Sequence, residues 1–227
     1  ERKSYKAEIT FGAETTTQDA SGDIIRKYDF SFDEDELRKT VKGFIGEQTQ
    51  MPPMYSAIKV NGRKLYEIAR EGGEIERKPR KINIFDIRIT EITPPDKAII
   101  EIDCSKGTYI RALCNDIGNK LGWGAFMSSL IRTASGKFRI EDAVKLDVLK
   151  TAAEEGDARR YIIPPEEVLN DYKKITVSEK ASKYLYNGGK IYSGYLRYDK
   201  KPNDNETVLG YDSSGNLVGI YSYTYDD

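Results

Sequence analysis

The run from Ile82 to Leu121 constrains the fold more than any other part of the sequence. It holds two strand-like stretches, INIFDIRITEI and KAIIEIDCS, separated by Pro94-Pro95. Apolar residues then recur at spacings of three and four: Ile110, Leu113, Cys114, Ile117 and Leu121. The pattern predicts two strands followed by an amphipathic helix over 110–121, and therefore a sheet with a helix packed against it.

The preceding residues add further elements of both kinds. Tyr5, Ala7, Ile9 and Phe11 alternate with polar residues and predict a strand, and QDASGD predicts a loop after it. DEDELRKTVKGFIG has apolar residues at helical spacing behind an acidic first turn, which predicts a helix. A shorter helical pattern ends at Gly72-Gly73, and RIEDAVKLDVLKTAAEEG predicts another helical region.

The composition changes after Tyr172. Ten of the 16 tyrosines lie between Tyr172 and Tyr225, in short alternating runs separated by Gly and Asn-Asp. This texture predicts a small all-β module. The Ile-Ile-Pro-Pro run ending at Pro165 predicts a boundary, which gives a first domain over 1–165 and a second over 172–227.

Several classes of protein are disfavoured by composition. The chain has no histidine and two cysteines ten residues apart, which argues against a transition-metal site and favours a reducing cytoplasm. No apolar run approaches the ~20 residues that a membrane span needs. Phosphate-loop, dinucleotide and Ser-His patterns are missing, which disfavours those chemistries. We expect no metal, no cofactor and a cytoplasmic monomer.

Tyr109 and Arg111 are the first candidate site residues. If both lay at the end of a strand, their two-residue spacing would place them on one face, just before the free N–H groups of a helix. A guanidinium can bind a carboxylate or phosphate, and a phenol offers a flat ring. The alternative is a tyrosine packed on the core and an arginine in a structural ion pair.

Four aspartates are candidate catalytic carboxylates, and each also has a structural interpretation: Asp19, Asp23, Asp103 and Asp116. Asp19 and Asp23 would cap a loop. Asp103 would be solvated at a strand end, and Asp116 would form an ion pair on the helix. We favour the structural interpretation for all four.

A long, turn-rich segment carries a local excess of positive charge. Between Ile58 and Lys81 there are eight Lys or Arg residues and four Glu residues, although the net charge of the whole chain is −1. Charge runs of this kind are commonly solvated surfaces, but long loops are also commonly functional.

Three motifs give the sequence a family resemblance. CSKGTYIRALCNDIGNKLGWGA followed by LIRTASGKF resembles the stand-alone bacterial tRNA pseudouridine synthases that modify the T-loop uridine at position 55. The thumb of that family is similar to QMPPMYSAIKVNGRKLYEIAREG, which is here called the thumb segment (about residues 50–80). The strand and loop that follow the family's active-site loop are similar to YKAEITFGAETTTQDASGD. The resemblance implies an α+β core of mainly antiparallel sheet with flanking helices, plus a small β-rich, PUA-like, RNA-binding C-terminal module.

The resemblance also implies the chemistry and the residues. The family flips the uridine out of the T-loop, breaks its glycosidic bond with an aspartate nucleophile, rotates the base and rejoins it through C5. Arg111 would pair with the nucleophile, Tyr109 would line the pocket, and Tyr5 would stack on the base. Leu130 would pack beside the ring, and Asp19 would support the substrate loop or the nucleophile loop. The thumb segment would bind phosphates of the tRNA T-arm through basic residues: Lys59, Arg63, Lys64, Arg77, Lys78, Arg80 and Lys81.

One family element is missing from the sequence. The nucleophile lies in a Gly-x-Leu-Asp-Pro type loop, and no such loop occurs in these 227 residues. We therefore expect a chain that lacks the N-terminal segment with the catalytic aspartate and that is inactive by itself. Two other hypotheses stay open: a non-catalytic RNA-binding or tRNA-folding module, and a structural fragment without RNA affinity.

Overall fold

A computed structural model describes residues 2–60, 62–73 and 75–225. Glu1 and Asp226–Asp227, at the ends of the predicted domains, and Asn61 and Glu74 of the thumb segment lie outside the described residues. The chain separates into two compact units, Glu1–Ala143 and Val144–Asp227. The predicted boundary between 165 and 172 falls inside the second unit and stays a prediction.

The first unit contains a large antiparallel sheet and three helices. Its strands are β1 (Arg2–Phe11), β2 (Ala13–Thr15), β3 (Ile24–Lys27), β4 (Gly46–Gln50), β5 (Lys59–Val60), β6 (Arg63–Lys64), β7 (Arg80–Thr93), β8 (Lys97–Ser105), β9 (Ala125–Ser135) and β10 (Phe138–Arg139). Its helices are α1 (Glu34–Lys42), α2 (Leu65–Arg70), α3 (Ile110–Leu121) and a 3-10 turn at Ile140–Asp142. Six strands form one sheet in the order β10-β9-β1-β8-β7-β4, with every neighbouring pair antiparallel.

The central strands follow the predicted alternation. Ala7, Ile9 and Phe11 of β1 are buried, while the residues between them are only partly covered. β1 pairs with β8 on one side and with β9 on the other, so its apolar face lies in the middle of the sheet. This placement buries the side chains on one face against α3 and α1.

Helix α3 has the predicted bounds. It ends at Gly122, whose φ of 74° is the left-handed conformation that glycine adopts without steric cost. Gly118 allows close packing on β9, because a Cβ there would lie 2.4 Å from the backbone N of Ala125. Ile117 and Leu113 are buried between the helix and the sheet.

The thumb segment has little core of its own. It forms the β5–β6 hairpin and α2, which ends before Gly72-Gly73 as predicted. Leu65 is 1% exposed, and around it most described side chains of 51–79 are partly or fully exposed.

The second unit contains a small sheet and several short helices. Its strands are β11 (Lys173–Val177), β12 (Leu196–Arg197), β13 (Glu206–Tyr211) and β14 (Leu217–Tyr223), in the order β12-β11-β13-β14. Its helices are α4 (Leu146–Glu154), α5 (Pro165–Val168) and α6 (Ser182–Tyr186), with 3-10 turns at Ala158–Tyr161, Glu179–Ala181 and Ser193–Tyr195. The prediction of a β-rich module is confirmed, but the all-β description is wrong because α6 packs Leu185 under the sheet.

Candidate active site at the start of helix α3

Arg111, in the first turn of α3, is held by two other segments of the first unit, the turn at residues 17–19 and the thumb segment. Its Nη1 donates to the carboxylate of Asp19 at 2.9 Å and to the carbonyl oxygen of Thr17 at 3.1 Å. Its Nη2 donates to the carbonyl oxygen of Tyr55 in the thumb segment at 2.5 Å. The Arg111 and Asp19 side chains are only 22% and 19% exposed, so the ion pair is mostly shielded from water.

Asp19 is itself fixed by its own loop. Its Oδ1 accepts from Thr17 Oγ1 at 2.7 Å and from the backbone N and the Oγ of Ser21. Burial alone would raise the pKa of Asp19, but the hydrogen bonds from Ser21 and Thr17 and the charge of Arg111 outweigh it and lower that pKa. The predicted loop-capping role of Asp19 is therefore confirmed, together with an ion pair that spacing did not reveal.

Gln50 fixes the N-terminal end of α3 and was not among the predicted site residues. Its Oε1 accepts from the backbone N of Tyr109 at 2.8 Å, and its Nε2 donates to the carbonyl oxygen of Tyr109 at 3.1 Å. Gln50 is 4% exposed and is the last residue of β4, where the thumb segment begins. In the sequence Gln50 stands two residues before Pro52-Pro53 and has no signal of its burial, and its partner lies 59 residues away.

Tyr109 and Arg111 do not share one face of a strand, so that prediction is wrong. β8 ends at Ser105, Tyr109 is the N-cap residue of α3, and Arg111 is the second helical residue. A helix turns 100° per residue, so a two-residue spacing there does not place side chains on one face. The two residues are neighbours at a helix start, and Arg111 has the structural ion pair that the alternative interpretation foresaw.

Tyr5 and Leu130 lie on neighbouring strands of the sheet. Tyr5 of β1 is opposite Arg132 of β9, and Ala7 is opposite Leu130, so these side chains point to one face. Tyr5 packs partly buried against the core, which raises the pKa of its phenol, and Leu130 is 41% exposed. Among the described residues, no hydrogen bond or ion pair links Tyr5 or Leu130 to Arg111.

The basic residues of the thumb segment differ in how they are engaged. Arg63 and Lys81 form exposed ion pairs with Glu71 and Glu47, at 2.6 and 3.0 Å. Arg77 donates to the carbonyl oxygen of Pro52, and Lys64 to Tyr66 Oη. The remaining three are exposed and have no acidic partner among the described residues: Lys59, Lys78 and Arg80.

The other aspartates fall into two groups. Asp103 pairs with Arg2 and Ser4, so burial, which would raise its pKa, is outweighed and the pKa is lowered. The ion pair predicted for Asp116 is wrong: this exposed residue has no ion-pair partner in the described part of the chain, and partial desolvation by its neighbours raises its pKa. The predicted cap at Asp23 is also not formed by its side chain; its carbonyl oxygen accepts from Thr16 N.

The described residues form neither a membrane-spanning helix nor a cluster of metal ligands. Within 2–60, 62–73 and 75–225, no helix is long and apolar enough to span a membrane. In the same residues, no three His, Cys, Asp or Glu side chains are grouped so that they could hold a metal ion.

Comparison with protein families gives two matches along the chain. Residues 1–110 match the TruB family pseudouridylate synthase N-terminal domain, and residues 111–170 match the tRNA pseudouridylate synthase B C-terminal domain. Arg111 thus lies where the two matched regions meet.

Curated relatives agree with these matches. Proteins named tRNA pseudouridine synthase B from Alkaliphilus oremlandii and Clostridium tetani are 46% and 42% identical, over 86% and 90% of this chain. The matched part spans 64% of the first relative's length and 69% of the second's.

Solved structures support the fold. A chain of a Cbf5-Nop10-Gar1 complex matches 98% of this chain and 60% of its own length, with a TM-score of 0.66 and 24% identity. An H/ACA RNP structure bound to a substrate RNA containing 2'-deoxyuridine matches with a TM-score of 0.65 and 21% identity. These confirm the predicted α+β fold with its large antiparallel sheet and separate β-rich C-terminal sheet. Since both family regions and these relatives agree, the chain belongs to the TruB family of pseudouridylate synthases.

Proposed function

We propose that the full-length protein is a tRNA pseudouridine synthase that isomerises the T-loop uridine at position 55. The two curated relatives support this proposal, because both are named tRNA pseudouridine synthase B. The observation that carries the proposal is the hydrogen bonding of the Arg111 guanidinium. Two Nη1 hydrogen bonds and one Nη2 bond leave its Nε–H and one Nη2–H without a partner in the described part of the chain.

Those two donors suit the side-on binding of a second carboxylate, one donor for each oxygen. A fixed guanidinium keeps such a carboxylate ionised and orients it for attack on the uridine. The Gly-x-Leu-Asp-Pro pattern does not occur in residues 1–227. We therefore assign the nucleophilic aspartate to a part of the full-length protein outside these residues.

The base would be received by the sheet face next to this arginine. Taking a uridine out of the stacked T-loop costs a few kcal/mol, which a ring platform and a closed pocket can offset. Tyr5 offers the ring, Leu130 an exposed aliphatic surface, and Tyr109 lines the entrance at the start of α3. Asp19 supports the reaction by fixing Arg111 rather than by touching the base.

The thumb segment would bind the T-arm backbone. Lys59, Lys78 and Arg80 are exposed and form no ion pair in the described ranges, so binding a phosphate would not require an existing ion pair to break. The pairs of Arg63 and Lys81 are exposed and cost little to exchange for phosphate. Arg77 and Lys64 complete the predicted set. The PUA-like second unit would contribute a further RNA contact. The enzyme would act as a cytoplasmic monomer without metal or cofactor.

The test is tritium release from tRNA labelled at C5 of uridine. The full-length protein should release tritium from the T-loop position, and a tRNA with cytidine at position 55 should give none. Changing the nucleophilic aspartate to asparagine should stop release while leaving tRNA binding intact. Residues 1–227 alone should bind T-arm RNA weakly, with steep salt dependence, and should not turn over.

Two outcomes would contradict the proposal. A full-length protein that binds and refolds tRNA without tritium release would instead be a non-catalytic RNA-folding module. Multiple turnovers by residues 1–227 alone would show that the nucleophile is one of the carboxylates in this chain, with Asp19 and Asp116 as the first candidates.

A further inference from the structure

Gln18 has a backbone conformation that its residue type does not favour. Its φ is 62°, and the described residues contain one other non-glycine residue with positive φ, Asn205. This left-handed region is sterically costly for residues with a Cβ, and such strain persists where the surrounding contacts enforce it. Gln18 lies between Thr17 and Asp19, the two residues whose oxygens accept from Arg111 Nη1.

The side chain of Gln18 joins a chain of amides that reaches β9. Asn115 Nδ2 donates to the carbonyl oxygen of Ala125 at 3.2 Å, which orients the Asn115 amide. Its Oδ1 then accepts from Gln18 Nε2 at 3.2 Å and from Asn119 Nδ2 at 3.1 Å. This orientation leaves Gln18 Oε1 buried and without a hydrogen-bond partner among the described residues. An unsatisfied buried acceptor lowers the stability of the fold, so the hydrogen bond from Gln18 Nε2 to Asn115 has to offset part of that cost.

The same backbone is also tied to the strand. Met127 N donates to the carbonyl oxygen of Gln18 at 3.1 Å, and Ala20 N donates to the carbonyl oxygen of Met127 at 3.0 Å. On α3, Arg111 and Asn115 are four residues apart and therefore lie on one stripe of the helix. One stripe thus binds the 17–19 turn at two points: Arg111 through Thr17 and Asp19, and Asn115 through Gln18.

We propose that Gln18 and Asn115 are positioning residues for Arg111. Their amide contact holds the 17–19 turn in its left-handed form, which places the Thr17 carbonyl and the Asp19 carboxylate under the guanidinium. This leaves the Nε–H and one Nη2–H directed to the reacting carboxylate. The inference rests on the proposed function for the catalytic role of Arg111. The amide contact between Gln18 and Asn115, here called the clamp, can be tested without turnover.

The first experiment compares two glycine variants of the full-length protein. Gln18→Gly keeps the left-handed backbone accessible but removes the amide, so folding is retained and the clamp is lost. Its kcat should fall about tenfold while KM for tRNA stays unchanged, as for loss of one positioning hydrogen bond. The control Asn205→Gly relieves the same kind of strain in the second unit and should leave kcat unchanged. A Gln18→Gly enzyme with the parent kcat overturns the proposal.

The second experiment measures the Arg111 guanidinium directly by ¹⁵N NMR of the full-length protein. Rotation about its Nε–Cζ bond should be hindered in the parent and faster in Gln18→Gly and Asn115→Ala. Equal rotation rates in the parent and both variants overturn the proposal, even if kcat falls. If the parent releases no tritium, the proposed function fails, and the NMR comparison still decides whether Gln18 and Asn115 position Arg111.

Discussion

Two regions hold their candidate functional residues in opposite ways: one is the sheet together with α3, and the other is the thumb segment. At the start of α3, Arg111 donates hydrogen bonds to Asp19 and Tyr55, and Tyr109 N donates to Gln50, next to a continuous apolar core. The thumb segment carries its cations on exposed side chains around a single well-buried leucine. Under the proposed function, bond chemistry would take place where packing fixes the backbone, and phosphate binding where exposed side chains can adapt to RNA.

The largest expected effect is on catalysis at the fixed region. Arg111→Ala should lower kcat of the full-length enzyme about 10³-fold, because it removes the charge beside the nucleophile in a shielded site. Binding of tRNA should change less than about threefold, since the basic side chains of the thumb segment are unchanged and the segment loses only the hydrogen bond between Arg111 and the Tyr55 carbonyl oxygen. The measurement is single-turnover tritium release beside filter binding.

Arg88→Ala is the matched control for that prediction. Arg88 forms an exposed ion pair with Glu101, and its loss should leave turnover at the parent level. Arg111→Ala at the parent rate would show that Arg111 has no catalytic role and that the fixed region is only structural.

The next effect compares two equally buried leucines. Leu113 in α3 and Leu65 in the thumb segment are both 1% exposed. Leu113→Ala should cost about 3 kcal/mol of unfolding free energy, because it leaves a cavity within the large core. Leu65→Ala should cost about 1 kcal/mol or less in global unfolding, since its surroundings can collapse and open locally.

Urea denaturation of both variants measures these costs. If Leu65→Ala proves as costly as Leu113→Ala, the thumb segment unfolds together with the core, and the contrast between the two regions does not hold.

The third effect concerns motion of the thumb segment. Amides of residues 51–79 should exchange with solvent far faster than those of β1, β8 and α3 in the free protein, because few of the described side chains in this range are buried. T-arm RNA should slow their exchange about tenfold or more as the segment orders. Hydrogen-exchange mass spectrometry measures this. Strong protection without RNA, unchanged when RNA is added, would contradict the prediction.

The smallest effect is a pH dependence at the site. The pKa of Asp19 is lower in the folded protein than in the unfolded chain. Its ionised carboxylate therefore stabilises the folded state fully above the unfolded-state pKa, and this stabilisation is lost as the pH falls through the folded-state pKa. Asp19→Asn should therefore lower stability by about 1 kcal/mol at pH 7, and the difference should shrink below about pH 4. Asp23→Asn, in the same loop, should leave stability at pH 7 unchanged. A constant difference for Asp19→Asn from pH 7 to pH 3 would show that its charge is not what matters.

Local patterns predicted much of the first unit. The stripe from Ile110 to Leu121 gave α3 with its observed bounds, because a helix buries one face at a 3.6-residue period regardless of its partner. The alternation from Tyr5 to Phe11 gave β1 for the equivalent reason with a period of two. Spacing and residue type suggested Tyr109 and Arg111 as candidates but placed them on the wrong kind of element, and motif resemblance added Tyr5 and a role for each of the three.

The sequence by itself therefore determined the family and the main elements of the first unit, such as β1 and α3, since their patterns depend on neighbours a few positions apart. Tertiary structure alone decided what those residues touch. Asp19 meets Arg111 across 92 residues, and Gln50 meets Tyr109 across 59. Neither partner has a local signature, because any carboxylate or amide in the chain could satisfy the same donors. Sheet order and helix packing select which one does so, and that selection fixes the geometry of the site.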